Sequence, residues 1–313
     1  MDILSILGSR GIVPVIKLND PNDAVPLCSA LERGGLPVAE ITFRTNAAEE
    51  SIRRVKAELP DVVLGAGTVI TVDQAERAVN AGAAYIVAPG FNPKVVGWCV
   101  ERGVPVLPGC SNPSDIEAAL EFGLRAVKFF PAEAIGGLAA IKAMSAAYGD
   151  LKFVPTGGIN EKNLIEYLSF PKVLACGGSW MVKEDLVNAK DWDSIAAITR
   201  SAVSKMLGFE LVHIGINAAD ADGAIGAAIV FSRLFDWPVK NGNSSTFAGK
   251  YIEMMKGPGR GAHGHIAVGV NSVLRARTYL EGLGVKFQDA PPDAKAVYMI
   301  DEIAGFAVHL LQK

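Results

Sequence analysis

Residues 126–136 read AVKFFPAEAIG, and Lys128 stands inside an apolar run, Ala126, Val127, Phe129 and Phe130, with the composition of a buried strand. Lysine is almost never fully buried unless it is paired or in use. The stretch alone leaves two readings open: a strand-end lysine reaching water along its aliphatic stem, or one kept inside for chemistry. It also belongs to a series. Short β-branched runs alternate with Ala/Glu/Leu-rich helical stretches: GIVPVIKL (11–18), PVAEITFR (37–44), VVLGAGT (62–68) and AYIVAPG (84–90). The series continues with VPVLPG (104–109), RAVKFFP (125–131), LKFVPTGG (151–158) and VLACGGSW (173–180). Strands apolar on both faces, separated by helices such as DPNDAVPLCSALERGG, argue for parallel βα units. Eight of them in about 200 residues predict an α/β fold, a small (β/α)8 TIM barrel. An open doubly wound sheet is the alternative, against which counts the lack of a GxGxxG opening a helix.

The totals narrow the function. The chain has 313 residues, half of them apolar, with a net charge of -3. No basic excess favours nucleic acid or an anionic membrane, and no apolar run is long enough to predict a membrane span. The start, MDILSILGSRGIVPV, lacks the basic and cleavable pattern of a signal peptide, so a cytoplasmic location is expected. Cys28, Cys99, Cys110 and Cys176 are scattered without a CxxC pair, which predicts reduced thiols rather than a disulfide framework or zinc site. All four histidines, His213, His263, His265 and His309, fall in the last third. Acid–base chemistry in the first part must therefore use carboxylates, Lys, Tyr or Cys.

The unusual residues of the first part collect at the carboxyl ends of the predicted strands: Lys17, Glu40 with Arg44, Thr68, Pro89-Gly90, Pro108-Gly109, Lys128, Thr156-Gly157-Gly158 and Gly177-Gly178-Ser179. In barrels that end carries the active site. Burial in apolar surroundings disfavours an ammonium, so a lysine there can attack a ketone as the free amine and form a Schiff base. Such chemistry needs a base at the adjacent carbon and a cation for a substrate carboxylate. Glu40 and Arg44, four apart and thus on one side of a strand, supply both types; a structural ion pair across one barrel layer is the other reading. PTGGI (155–159) and CGGSW (176–180) are either anion-binding strand ends or plain βα turns.

GLPVAEITFR (35–44) and GLRAVKFFPAEAIG (123–136) resemble the two signature segments of the 2-keto-3-deoxy-6-phosphogluconate / 4-hydroxy-2-oxoglutarate aldolases. The resemblance extends over residues 1–205 through GAGT, APG, PTGGI and GGSW. It implies a class I, metal-independent aldolase, with no cofactor, that splits a 2-oxo sugar acid into pyruvate and an aldehyde. Lys128 would be the Schiff-base lysine and Glu40 the proton acceptor and donor. Arg44 and Thr68 would bind the carboxylate and keto region. Gly158, Gly178 and Ser179 would lie near a substrate phosphate, with Pro89, Thr156 and Gly157 completing the substrate-binding set. The family implies a homotrimer. Ile135 departs from the polar residue that many relatives carry, with a minor effect expected at the pocket rim.

After KEDLVNAKDWDSIAAITRSAVSKMLG, which reads as one final helix, the pattern changes at about residue 208, dividing the chain into 1–207 and 208–313. ELVHIGIN, the helix AADADGAIGAAIVFSRLF and short strands in VKNGNSSTFAGKYIEMMK are followed by GHIAVGVN, SVLRARTYLEGLG, VKFQDA, AVYMIDE and GFAVHLLQK. This predicts a smaller α+β domain of two tandem βαβββ repeats. Paired about a pseudo-twofold axis, the repeats would bring His213, Glu253, His265 and His309 together as an N/N/N/O set for a divalent metal: Zn, Ni, Fe or Mn. The alternative is a set of ordinary strand histidines. GHIAVGVN and KYIEMM resemble strands of the vicinal-oxygen-chelate superfamily, which holds glyoxalases, ring-cleaving dioxygenases and bleomycin-resistance proteins. The resemblance covers 210–313; His309 stands where glyoxalases have a glutamate, which puts lyase activity in doubt. The expected whole is an aldolase with an appended metal-binding or ligand-binding domain. The rivals are a bifunctional enzyme with a glyoxalase-like lyase, and an inactive barrel with a ligand-binding or assembly tail.

Overall fold

The computed structural model describes residues 2–313, and the chain divides into two compact units, Met1–Met206 and Leu207–Lys313. The first alternates strand and helix from end to end. Its strands are β1 (Ile12–Ile16), β2 (Val38–Thr42), β3 (Val63–Gly67), β4 (Tyr85–Val87), β5 (Val106–Leu107), β6 (Ala126–Phe129), β7 (Lys152–Pro155) and β8 (Cys176–Gly178). Each falls inside one of the eight stretches quoted above. The starts of the intervening helices are written in the chain. Asn92 and Asn112 each precede a proline and accept a hydrogen bond from the first turn, Thr71 does the same for Gln74, and Gly82 ends that helix in the left-handed conformation.

Six strands pair in parallel in the order β5-β4-β3-β2-β1-β8, and β6 pairs with β7. Single bridges join the two sets, Gly109 to Lys128 on one side, Phe153 to Val173 and Thr156 to Gly177 on the other. The sheet is thus a curled parallel one. Every residue of β2, β4, β6 and β8 is buried, as expected of strands covered on both faces.

Two local differences from the sequence reading have physical causes. The strand carrying Glu40 ends at Thr42, so Arg44 lies in the turn beyond it and strand alternation does not fix its direction. The stretch KEDLVNAKDWDSIAAITRSAVSKMLG, read as one helix, is two, Glu184–Asn188 and Trp192–Leu207. Lys190 adopts a left-handed φ of 56°, and Asp191 starts the second helix by accepting from the Ser194 backbone N–H at 3.1 Å.

The second unit is a seven-stranded mixed sheet. Its strands are β9 (Glu210–Asn217), β10 (Val239–Asn241), β11 (Ser245–Ala248), β12 (Ile252–Met255), β13 (Gly264–Val270), β14 (Ala296–Tyr298) and β15 (Phe306–Gln312), in the order β10-β11-β12-β9-β13-β15-β14. β12 runs parallel to β9 and β13 parallel to β15, while the central pair β9 and β13 is antiparallel. The helix Ala221–Phe235 buries Ala224 and Ala228, one turn apart, in a cluster with Ala248 and Met254. VKFQDA does not form the expected strand. It makes one bridge, Phe287 to Met299, and then meets Pro291 and Pro292, which have no N–H to continue a ladder.

Candidate active site

β6 carries Lys128 and β2 carries Glu40, and the curl of the sheet brings these residues, 88 apart in sequence, to 3.2 Å between Nζ and Oε1. Both side chains are 5% exposed. The surroundings of Lys128 are therefore not purely apolar: a buried carboxylate faces it, with the Phe130 ring 5.4 Å from Nζ. Room for the carboxylate comes from β3. A β-carbon on Gly67 would lie 2.1 Å from Glu40 Oε1, so any side chain there would push the carboxylate from its place. Glu40 is not ion-paired to Arg44 among the described residues.

Arg44 is exposed, and its Nε donates to Thr68 Oγ1 at 3.1 Å. Thr68 has a φ of 56°, unusual for a β-branched residue. A cavity of about 650 Å³ opens beside the pair, walled by Arg44, Thr156, Gly157, Gly158, Gly178 and Ser179 from the predicted set. Gly157 and Gly158 take φ values of 95° and 84°, which only glycine adopts freely. Lys128 and Glu40 are not wall residues; Thr42 and Phe130 from their own strands are. Pro89 lies away from the wall, half-buried, its carbonyl against Gly109.

Sequence reasoning missed Lys183, Trp180 and the Lys17–Glu184 ion pair at the cavity mouth, 3.0 Å between charged atoms. Lys17 was visible as a strand-end cation, but its partner is separated by 167 positions.

In the second unit, four neighbouring strands bring His213, Glu253, His265 and His309 together. The register explains how. Glu253 and His265 flank Gly215, while His213 and His309 flank Ala267. A β-carbon on Gly215 would lie 2.1 Å from His265 Cε1, so small residues leave a bowl between large ones. His213 Nε2 and His265 Nε2 are 3.0 Å apart, and each is 3.2 Å from Glu253 Oε2. Ser245 Oγ donates to the other carboxylate oxygen, Oε1, at 2.5 Å. Hydrogen bonds from His213 and then His265 hold the Glu253 carboxyl well below the usual range. Burial, and next the neighbouring His265 and His213, push the His309 imidazole down to about 4. Both His309 nitrogens are buried without a hydrogen-bond partner among the described residues. His263 stands apart, packed on Phe306.

A buried lysine–carboxylate pair beside a cavity with cations and glycine-rich turns, in a curled parallel sheet, has the groups that a class I aldolase, a carbon–carbon lyase, requires: an amine to form a Schiff base and a carboxylate to move protons. Comparison with known proteins gives the family. The family described as KDPG and KHG aldolase matches residues 3–198. The chain is 50% identical over 192 residues to 2-dehydro-3-deoxy-phosphogluconate aldolase of Treponema pallidum, covering 61% of this chain and 91% of that protein. It is 39% identical over 199 residues to KHG/KDPG aldolase of Escherichia coli K12, covering 64% and 93%. Among solved structures, KDPG aldolase from Legionella pneumophila, with pyruvate captured as a covalent carbinolamine, superposes with a TM-score of 0.62 at 36% identity, over 64% of this chain and 97% of that one. The chain belongs to the KDPG and KHG aldolase family.

Proposed function

We propose that the first unit is a closed (β/α)8 barrel that cleaves 2-keto-3-deoxy-6-phosphogluconate to pyruvate and glyceraldehyde 3-phosphate, and 4-hydroxy-2-oxoglutarate to pyruvate and glyoxylate. The bridges that link both edges of the parallel sheet support the closure. The observation that carries the activity is the Lys128–Glu40 contact, 3.2 Å long and buried, next to a cavity with cations and glycine-rich turns. Glu40 is within reach to take the proton that Lys128 must lose before it attacks. The amine adds to the C2 ketone, Glu40 passes that proton to the carbinolamine hydroxyl, water leaves, and the iminium that forms withdraws electrons from the C3–C4 bond. Glu40, through a water, accepts the C4 hydroxyl proton; the bond breaks, the aldehyde departs and an enamine remains. The same carboxylate returns the proton to C3, and hydrolysis of the iminium frees pyruvate and the lysine. Arg44 and Thr68 hold the carboxylate and keto end, a positioning effect that can supply several kcal/mol. Gly157, Gly158, Gly178 and Ser179 receive the distal anion. Comparing turnover of the two substrates tests the phosphate preference, with the phosphorylated one expected to be faster. A homotrimer is the assembly we propose, as the family resemblance implies, with the cytoplasm as its location. Light scattering checks the first; a monomer would contradict it. No helix among the described residues is long and apolar enough to cross a membrane.

For the second unit we propose a divalent metal site of vicinal-oxygen-chelate type built from two βαβββ repeats, with His213, Glu253, His265 and His309 as ligands. The fit rests on His213 Nε2, His265 Nε2 and Glu253 Oε2, separated by 3.0, 3.2 and 3.2 Å. Ligands about 2.1 Å from one centre lie roughly 3.0–3.4 Å from each other. The buried, neutral and unpartnered His309 imidazole supports a fourth ligand. A bound zinc, nickel, iron or manganese ion would act there as a Lewis acid toward an oxygen ligand. Elemental analysis after reconstitution is expected to find one metal per chain, lost in the His213→Ala/His265→Ala variant. A metal-free reconstituted protein would remove the site.

A further inference from the structure

One buried polar group of the first unit takes no part in the chemistry above. Tyr85 on β4 is 1% exposed, and its hydroxyl has no hydrogen-bond partner among the described residues. An orphaned buried hydroxyl forfeits its hydration with nothing in return, so a phenol persists at such a place only with a reason. Its position supplies one. Glu40, Gly65 and Tyr85 are in register across three neighbouring strands, with Gly65 in the middle. A β-carbon on Gly65 would lie 2.2 Å from Tyr85 Cζ, the ring atom that carries the hydroxyl. The ring therefore fills the space of the missing side chain, and the phenol head lies over β3 on the way to β2. From the other side, Glu40 leans into the hollow left by Gly67, 2.1 Å from that residue's ideal β-carbon position. The two hollows are neighbours on one strand face, with Cα atoms about 7 Å apart. Glu40 and the phenol thus lie over the same face of β3, and no direct hydrogen bond joins them; a single water is the usual bridge between two such groups. The acid–base behaviour agrees: burial, and then the negative charge of Glu40, raise the Tyr85 phenol well above its ordinary value. The hydroxyl stays protonated and is a standing donor.

We propose that Tyr85 is a positioning residue for Glu40, its hydroxyl holding through one bound water the carboxylate that moves protons at C3 and C4 of the substrate. The inference rests on the aldolase reading and names the group that orients its base. No proton is consumed: the phenol donates to the water and the water donates to Glu40, which keeps its Oε1 contact with Lys128. Tyr85→Phe keeps the ring over Gly65 and removes only the hydroxyl. In the full chain incubated with pyruvate in deuterium oxide, the variant is expected to exchange the C3 protons about ten- to hundredfold more slowly, the loss of one hydrogen bond to a charged group. Borohydride trapping of pyruvate on Lys128, read as its final extent, is expected to match the unaltered chain, because slower proton transfer through Glu40 delays the adduct without removing it. Exchange at the original rate would overturn the proposal. So would a fall in that final extent, which would mean the phenol supports the whole site and not Glu40. A variant that melts at a higher temperature with unchanged exchange would mark the hydroxyl as an orphan with no water. Failure of trapping in the unaltered chain would instead sink the Schiff-base reading, so the two claims fail separately.

Discussion

Lys128 and Glu40 depend on each other, and that dependence can be measured apart from turnover. Lys128→Ala abolishes the amine and leaves Glu40 as an unpaired buried carboxylate. Breaking such a pair is expected to cost about 3–5 kcal/mol in urea unfolding of the first unit. Glu40→Gln keeps the shape and is expected to lower kcat by about 10²–10⁴ with little change in KM. A Lys128→Ala chain as stable as the original would mean that the pair is solvated. The thiols give a second prediction at this scale. Burial pushes Cys28 and Cys110 up to about 12 and Cys99 to about 11. Only the thiolate reacts; raised values keep these groups protonated at pH 8, so a thiol reagent is expected to leave them unlabelled in the native chain and label them after unfolding. Rapid labelling at pH 8 would contradict their burial. The lysine itself was legible in the sequence, because an ion in an apolar run is conspicuous. Its direct contact with Glu40 was not, since it depends on how far the sheet curls. Tyr85 was illegible for the opposite reason: in AYIVAPG a tyrosine looks like any core aromatic.

Among elements, β3 decides the site by what it lacks. Gly65 and Gly67 give up their side chains to Tyr85 and Glu40 from the flanking strands. Gly67→Ala is expected to displace the Glu40 carboxylate and reduce kcat at least as much as Glu40→Gln, while Ala66→Gly on the same strand weakens stability but spares kcat. Pyruvate exchange and turnover would check both; an active Gly67→Ala enzyme would show that Glu40 has another place to sit. The eight strands were readable from β-branched runs because parallel strands are covered on both faces and carry little else. Strand ends were less so. Arg44 escapes alternation because its strand stops two residues earlier, and the helix break at Lys190 depends on one left-handed residue. In the second unit the histidines were legible as a repeat, but the bowl that gathers them rests on Gly215 and Ala267, small residues that no pattern marks.

At the scale of the molecule, two units with their own sheets are joined in one chain, and all four histidines lie in the second. Added zinc or nickel at a hundredfold excess over its dissociation constant is expected to stabilise the second unit by about 2.7 kcal/mol, visible as a higher melting transition that a chelator reverses. The aldolase rate is expected to stay unchanged with or without metal. A rate that follows the metal would contradict a metal-independent class I enzyme. The most direct test of the account is reduction of the full chain with borohydride in the presence of pyruvate, followed by peptide mass spectrometry. The account predicts a reduced pyruvate adduct on Lys128 alone, absent without pyruvate. No adduct, or an adduct on another lysine such as Lys17 or Lys183, would contradict it.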